Sequence, residues 1–225
     1  MRAIVYALIF YPATFLFVLA CFVASLFGSK AMRAVVHAWA DFHHVLARAL
    51  GTRVEVQGSI PPGAFLIAVK HQSMIETLEM VRLARTPVVI LKRELSDIPL
   101  FGWTTRRYGV IPVDRDAGAK TLREMMARGK EATAEGRPII IYPEGTRVRP
   151  GETPPLQSGF AGLYRALGLP VVPVAMDSGR LWGRSLPRRA GTVRFLIGAP
   201  IEAGLKRDEI EQRVHSAINA LELAP

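Results

Sequence analysis

One cysteine, Cys21, is all the thiol chemistry that the 225-residue chain contains. A lone cysteine cannot build an intramolecular disulfide framework, and it offers no thiolate pair to a metal. It sits in an apolar stretch far from every polar cluster, which argues against a thiol nucleophile. Other chemical signals are missing too. The chain has no Gly-x-Ser-x-Gly elbow, no Gly-x4-Gly-Lys-Ser/Thr loop, no Gly-x-Gly-x-x-Gly turn and no His-Glu-x-x-His pair. Serine hydrolases, P-loop nucleotidases, dinucleotide enzymes and zinc proteases thereby lose their usual signatures. Acidic residues are scarce as well: 19 Asp and Glu stand against 29 Lys and Arg, giving a formal net charge of +10. Such an excess points to an anionic partner, whether nucleic acid, a membrane surface or a phosphorylated ligand. No nucleic-acid-binding motif accompanies the charge, so nucleic acid is not expected.

The most local absence is charge itself, for none occurs between Arg2 and Lys30. At about 1.5 Å per residue this run can exceed the roughly 30 Å hydrocarbon core of a bilayer, and membrane helices tolerate a proline such as Pro12. The chain's hydrophobic excess lies almost entirely in these first fifty residues, which tips the choice of anionic partner toward a membrane. A cleavable signal peptide is the competing reading, with Val18-Leu19-Ala20-Cys21 hinting at a lipoprotein site. The run is too long for an ordinary signal core, however, and no small-x-small site ends it. Residues 31–50 read as an amphipathic helix, with Met32, Val35, Val36, Trp39, Phe42, Leu46 and Leu50 at helical spacing. A spanning helix and a one-leaflet hairpin both fit, and basic residues on both flanks give no orientation. His37, Asp41 and His44 share a face at ligand-like spacing, but an interfacial helix needs a polar stripe anyway, and no metal is expected.

From Gly51 short apolar runs alternate with helical segments. Strands are expected at 53–57, 64–69, 87–92, 109–113, 138–142, 171–176 and 192–197, and helices at 74–84, 118–134, 158–167 and 207–222. This alternation predicts an α/β fold, a mixed and largely parallel sheet flanked by helices. An N-terminal membrane-associated two-helix segment, residues 1–50, precedes the α/β unit of residues 51–225.

Three apolar runs end in polar clusters. The run Ala64–Val69 leads into Lys70-His71-Gln72-Ser73, with Glu76 five positions beyond His71. A carboxylate can fix a histidine's tautomer and stabilise its imidazolium. On one regular helix, residues five apart lie about 140° apart, so the pair meets only if His71 precedes the helix. Ser73 to Glu76 also fits a capping box that would occupy the same carboxylate. The second cluster ends Gly109–Asp114 in Arg115, whose planar fork suits a phosphate or an ion pair with Asp114 or Asp116. The third is Pro143-Glu144-Gly145-Thr146-Arg147, where Gly145 permits close backbone approach, Thr146 supplies a hydroxyl and Arg147 a charge for an anion. A further loop, Arg180 to Arg189, mixes basic residues with Trp182 and suits an anionic interface.

In that order, these clusters resemble the glycerolipid acyltransferase family over residues 53–200. The family's His-x4-Asp motif corresponds to His71 and Glu76, and its glycine-led strand ending in arginine to Gly109–Arg115. Its Pro-Glu-Gly-Thr block corresponds to Pro143–Arg147, and its Val-Pro stretch to Val171-Val172-Pro173-Val174. Two positions depart from the pattern: Glu76 stands for the usual aspartate, and Gln157 or Ser158 for a lysine before Gly159. The resemblance implies transfer of a fatty acyl group from acyl-CoA or acyl carrier protein to lysophosphatidic acid, giving phosphatidic acid, with no cofactor and no acyl-enzyme. It implies His71 as general base and Glu76 as its orienter, with Arg115, Glu144, Gly145, Thr146 and Arg147 binding the acceptor. It also implies a location at the cell inner membrane with the active site on the cytoplasmic face, where an anionic bilayer surface meets the basic residues. Acyl transfer to another lysolipid, such as lyso-ornithine lipid, and non-catalytic lipid binding are the alternatives. No residue announces itself as oxyanion donor.

Overall fold

Short β-branched runs build the centre of the molecule. In the computed structural model they form β1 (Thr52–Gln57), β2 (Leu66–Val69), β3 (Val88–Lys92), β4 (Ile111–Val113), β5 (Ile139–Ile141), β6 (Val171–Met176) and β7 (Gly191–Ile197). The structure describes the chain except residues 115–117, 185, 188 and 223–225, and the side chains of 118–120. The strands form one sheet in the order β1-β7-β6-β2-β5-β3-β4. Neighbours run parallel except β6 and β7, so β1 and β7 point opposite to the other five. The expected mixed, largely parallel sheet is therefore present.

Side-chain alternation along each strand divides the core. Ile67, Val69, Ile140, Val172 and Val174 point to one face, and Leu66, Ala68, Ile139, Ile141 and Val171 to the other. A sheet covered on both faces explains why these strands read as unbroken apolar runs. On the first face lie α1 (Arg2–Ser25), α2 (Ser29–Ala49) and α3 (Ile75–Leu83). The second face is covered by α6 (Gly118–Ala134), α7 (Ser158–Leu167) and α9 (Arg207–Ile218). Three short helices complete the chain: α4 (Arg93–Ser96), α5 (Phe101–Tyr108) and α8 (Gly179–Trp182).

The sequence pattern misses α4, α5 and α8 because four to eight residues are too few to show a helical period. The α4–α5 turn also depends on a close approach invisible in composition, since a Cβ on Gly102 would lie 1.9 Å from the Ser96 carbonyl oxygen.

The amphipathic helix is oriented otherwise than its stripe suggested. Met32, Ala40, His43, Leu46 and Ala47 of α2 are buried in the protein, while α1 lies alongside it. A bond from Trp39 Nε1 to Thr14 Oγ1 at 3.0 Å ties the two helices together. It is α1 that presents apolar surface outward, through Ile4, Leu8, Phe15, Leu16 and Phe22. Its other side buries Tyr6 and Phe10 in an aromatic cluster with His43 and Trp182. Burial pulls the His43 imidazole down to about 4, so this ring is neutral. Trp182, read in sequence as part of a membrane-facing loop, is fully buried and donates to Thr52 Oγ1 at 3.2 Å. Its large apolar ring is the natural filler between α1 and the sheet.

Candidate active site

Strand β2 delivers the chain to Lys70 and His71 at the carboxyl edge of the parallel strands, where open α/β sheets place ligand sites. The backbone turns through Gln72–Met74 before α3 begins at Ile75, so His71 stands outside the helix. This turn brings His71 Nδ1 to 3.0 Å from Glu76 Oε1, an approach a regular helix would forbid. The same carboxylate accepts from Gln72 N at 2.7 Å, Ser73 N at 2.5 Å, Ser73 Oγ at 2.7 Å and Ser178 Oγ at 3.0 Å. Orienting His71 and holding the start of α3 are thus one arrangement. The capping is only half a box: the Ser73 hydroxyl reaches Ile75 N at 3.3 Å and gives its proton to Glu76.

Glu76 is fully buried. Burial alone would push its carboxyl up, but the hydrogen bond and charge of His71 and the Ser73 donors hold it below the usual 4.5. An ionised Glu76 accepts a hydrogen bond from Nδ1–H, the tautomer that leaves Nε2 of His71 without a proton. The imidazole lies beside the Tyr142 ring, with centroids 4.3 Å apart.

Glu144 is only 2 % exposed and turned inward, away from Thr146 and Arg147, beside which it was expected to bind substrate. Its Oε2 accepts from His71 N at 2.8 Å, and its Oε1 lies 2.9 Å from Lys70 Nζ, an ion pair by distance without hydrogen-bond geometry. Burial pushes the Glu144 carboxyl up, more than the Lys70 ammonium and the His71 backbone pull it down. Lys70, fully buried, donates to Asn219 Oδ1 at 2.5 Å and to the Glu152 carbonyl at 2.7 Å. Val148 N donates to the His71 carbonyl at 2.8 Å. Both backbone groups of the histidine are therefore fixed by the 144–148 loop.

The chain beyond α9 closes the rear of this site. Glu222 accepts from Gln72 Nε2 and from Gly151 N, while Gln72 Oε1 accepts from Gly179 N at 2.9 Å. Helix α9 stops at Ile218 rather than 222, since the side chain of its C-cap Asn219 is committed both to the His215 carbonyl and to Lys70.

The remaining candidates scatter. Thr146 is exposed, Gly145 has φ +71°, and Arg147 Nη1 donates to the Arg184 carbonyl at 2.6 Å. Arg115 lies outside the described residues. The polar stripe of α2 divides: His37 meets Asp41 at 3.2 Å, and His44 meets Glu79 at 2.9 Å. Buried Glu79, held also by Arg82 at 2.9 Å, ties α2 to the helix that carries Glu76. Sequence reasoning missed Lys70, Ser178, Glu79 and Asn219. A lysine directly after one apolar strand run, and a serine two positions after another, were the available signals for the first two.

The site thus centres on a buried histidine at a strand end, oriented by a buried carboxylate. The family model for acyltransferases matches residues 52–177, and the chain belongs to the acyltransferase family. It is 32% identical over 208 residues to the 1-acyl-sn-glycerol-3-phosphate acyltransferase of Pseudomonas aeruginosa, covering 90% of this chain and 81% of that one. To the alpha form of the same enzyme from Bos taurus it is 31% identical over 168 residues, 71% of this chain and 58% of the relative. The fold matches the crystal structure of the 1-acyl-sn-glycerophosphate acyltransferase of Thermotoga maritima with a TM-score of 0.79. That match covers 100% of this chain and 98% of that one at 21% identity.

Proposed function

We propose that the protein transfers a fatty acyl group from acyl-CoA or acyl carrier protein to the free hydroxyl of lysophosphatidic acid, giving phosphatidic acid. The observation that carries this reading is the 3.0 Å contact between His71 Nδ1 and the buried Glu76 carboxylate, in a chain whose relatives bear that activity in their names. His71 Nε2 takes the proton of the acceptor hydroxyl as its oxygen attacks the thioester carbonyl. The C–O bond forms, the C–S bond breaks, and the imidazolium returns its proton to the departing thiolate. Glu76 stabilises the imidazolium through Nδ1 and stays ionised throughout. Glu144 and Lys70 act through the His71 backbone as positioning residues. Arg115 and Arg147 are the candidates for the acceptor's phosphate, Arg147 by exchanging the Arg184 carbonyl for it.

A general base contributes about 10²–10⁴-fold, so holding donor and acceptor in register supplies much of the remaining rate. The apolar outer side of α1 and the basic net charge support a place at the inner membrane, with the site on the cytoplasmic face where thioester donors are found. Purified protein should release free thiol from acyl-CoA only when lysophosphatidic acid is present. Equal or faster release with another lysolipid would move the proposal to that acceptor, and lipid binding without release would make this a binding protein.

A further inference from the structure

A second polar site lies at the other end of the sheet. His71 and Glu144 follow the carboxyl ends of β2 and β5, whereas Arg137 donates to the carbonyls of Thr86 and Pro87 just before β3. There a cleft of about 640 Å³ opens between the start of α2 and the end of α5, lined by Ser29, Arg33, Arg107, Tyr108, Glu135 and Arg137 among others. Its chemistry is unbalanced toward donors. Three guanidiniums face one carboxylate, Glu135, which lies 2.7 Å from Arg33 and 3.6 Å from Arg137. Gly28 opens α2 at φ +101° with no side-chain cap and no acid in the first turn, so the positive end of a 21-residue helix adds to the field.

The independent sign of a missing acceptor is Tyr108. The residue is only 6 % exposed, its hydroxyl donates to no acceptor among the described residues, and the charged groups that reach it, Arg137 and Arg33, are donors. The Arg137 guanidinium sits 5.0 Å above its ring and 2.7 Å from where a Cβ on Gly109 would stand. That glycine therefore makes room for the arginine in the wall. A buried hydroxyl that faces guanidiniums and donates to nothing has a proton left without an acceptor.

The geometry points to a binding site for the phosphate of an anionic phospholipid headgroup, separate from the active site. The turn between Ser25 and Gly28, both in the cleft wall, carries Leu26 and Phe27 at 75% and 78% exposure. Phe22 of α1 meets Trp103 of α5 beside them, with centroids 5.2 Å apart. Apolar side chains at the mouth and phosphate-binding groups behind them match a lipid whose chains remain in the bilayer. Arg33 and Arg107 reach the phosphate as charged donors and Ser29 as a hydroxyl, with the enclosed Tyr108 hydroxyl behind them, and Glu135 competes with it for Arg33.

Flotation of the full-length protein with vesicles of phosphatidylcholine, with and without phosphatidylglycerol, tests the site. Arg33→Gln with Arg107→Gln should lower the phosphatidylglycerol-dependent affinity about five-fold per arginine, the ratio that ~1 kcal/mol per basic side chain corresponds to. Tyr108→Phe should lower it about two-fold or more, the effect of a hydrogen bond of ~0.5–1.5 kcal/mol. Glu135→Gln, by removing the competing carboxylate, should raise it, a direction that unfolding cannot mimic. Arg207→Gln with Arg213→Gln on α9 removes equal charge elsewhere and should leave most of the affinity in place. In a parallel arm, inorganic phosphate is titrated against the protein without vesicles. Binding there, absent from the Arg33→Gln/Arg107→Gln protein, supports a site that takes free phosphate too, and no binding there with the vesicle effects intact supports recognition of the lipid only. Equal losses in the cleft and control pairs, or no rise with Glu135→Gln, would overturn the site. Acyl transfer to a soluble short-chain acceptor should be unchanged in these variants, which separates this outcome from failure of the proposed reaction.

Discussion

Glu76 orients His71 and holds the start of α3 with one carboxylate, and that double use determines what its loss should do. Glu76→Gln keeps the side-chain length but cannot hold His71 Nδ1–H as an anion does. It should cut kcat by about 10²-fold or more, within the range of losing an effective general base, with a smaller change in KM. The same residue leaves a mark on stability. Its carboxyl is held below 4.5 in the fold, so folding favours the ionised form. That contribution is fully present above the unfolded carboxylate value and is lost as pH falls through the lower folded one. Urea melts of wild type and Glu76→Gln should therefore converge below about pH 4.5, and a gap that stays constant would contradict the account. The pairing of His71 with Glu76 was legible in sequence because both ends lie within one turn of chain. The supports of His71 were not: Lys70 meets Asn219 across 149 positions, and no local spacing records such a contact.

At the scale of elements, β2, the 144–152 loop and the end of α9 are joined through Lys70 and Glu144. Removing one member of a buried ion pair strands the other charge, at a cost of about 3–5 kcal/mol. Lys70→Met should cost that much in thermal or urea unfolding. Lys70→Met with Glu144→Gln should cost clearly less than the sum of the two single changes, since a glutamine oxygen can still accept from His71 N. Additive losses would mean the pair is not coupled. In the sheet, Ile140→Ala should cost about 2–5 kcal/mol, as a fully buried β5 side chain in the core of the first face loses its packing. The strands were readable from β-branched runs bounded by glycine and proline, while α4, α5 and α8 were too short to leave a period. The stripe of α2 showed that the helix is amphipathic, but not that its apolar side would face protein.

For the whole molecule, the N-terminal helices are part of the core as well as a candidate anchor. Tyr6 lies 5.1 Å from Trp182 and 5.8 Å from His43 by ring centroid, and all three are fully buried. A chain starting at Ser29 should bind an exposed-apolar-surface dye and melt well below the intact protein. A truncated chain as stable as the full one would show the contact to be incidental. Hydropathy disclosed the apolar helix at once, yet it cannot disclose that one side of that helix packs on a tryptophan over 170 residues away.

The central claim is that His71, held by Glu76, removes a proton from a lysolipid hydroxyl during direct acyl transfer. Thiol release from acyl-CoA, measured with and without lysophosphatidic acid for wild type and His71→Ala, tests it most directly. The account predicts acceptor-dependent release by wild type and a fall of about 10²–10⁴-fold in a folded His71→Ala protein. Turnover by that variant at the wild-type rate would contradict it.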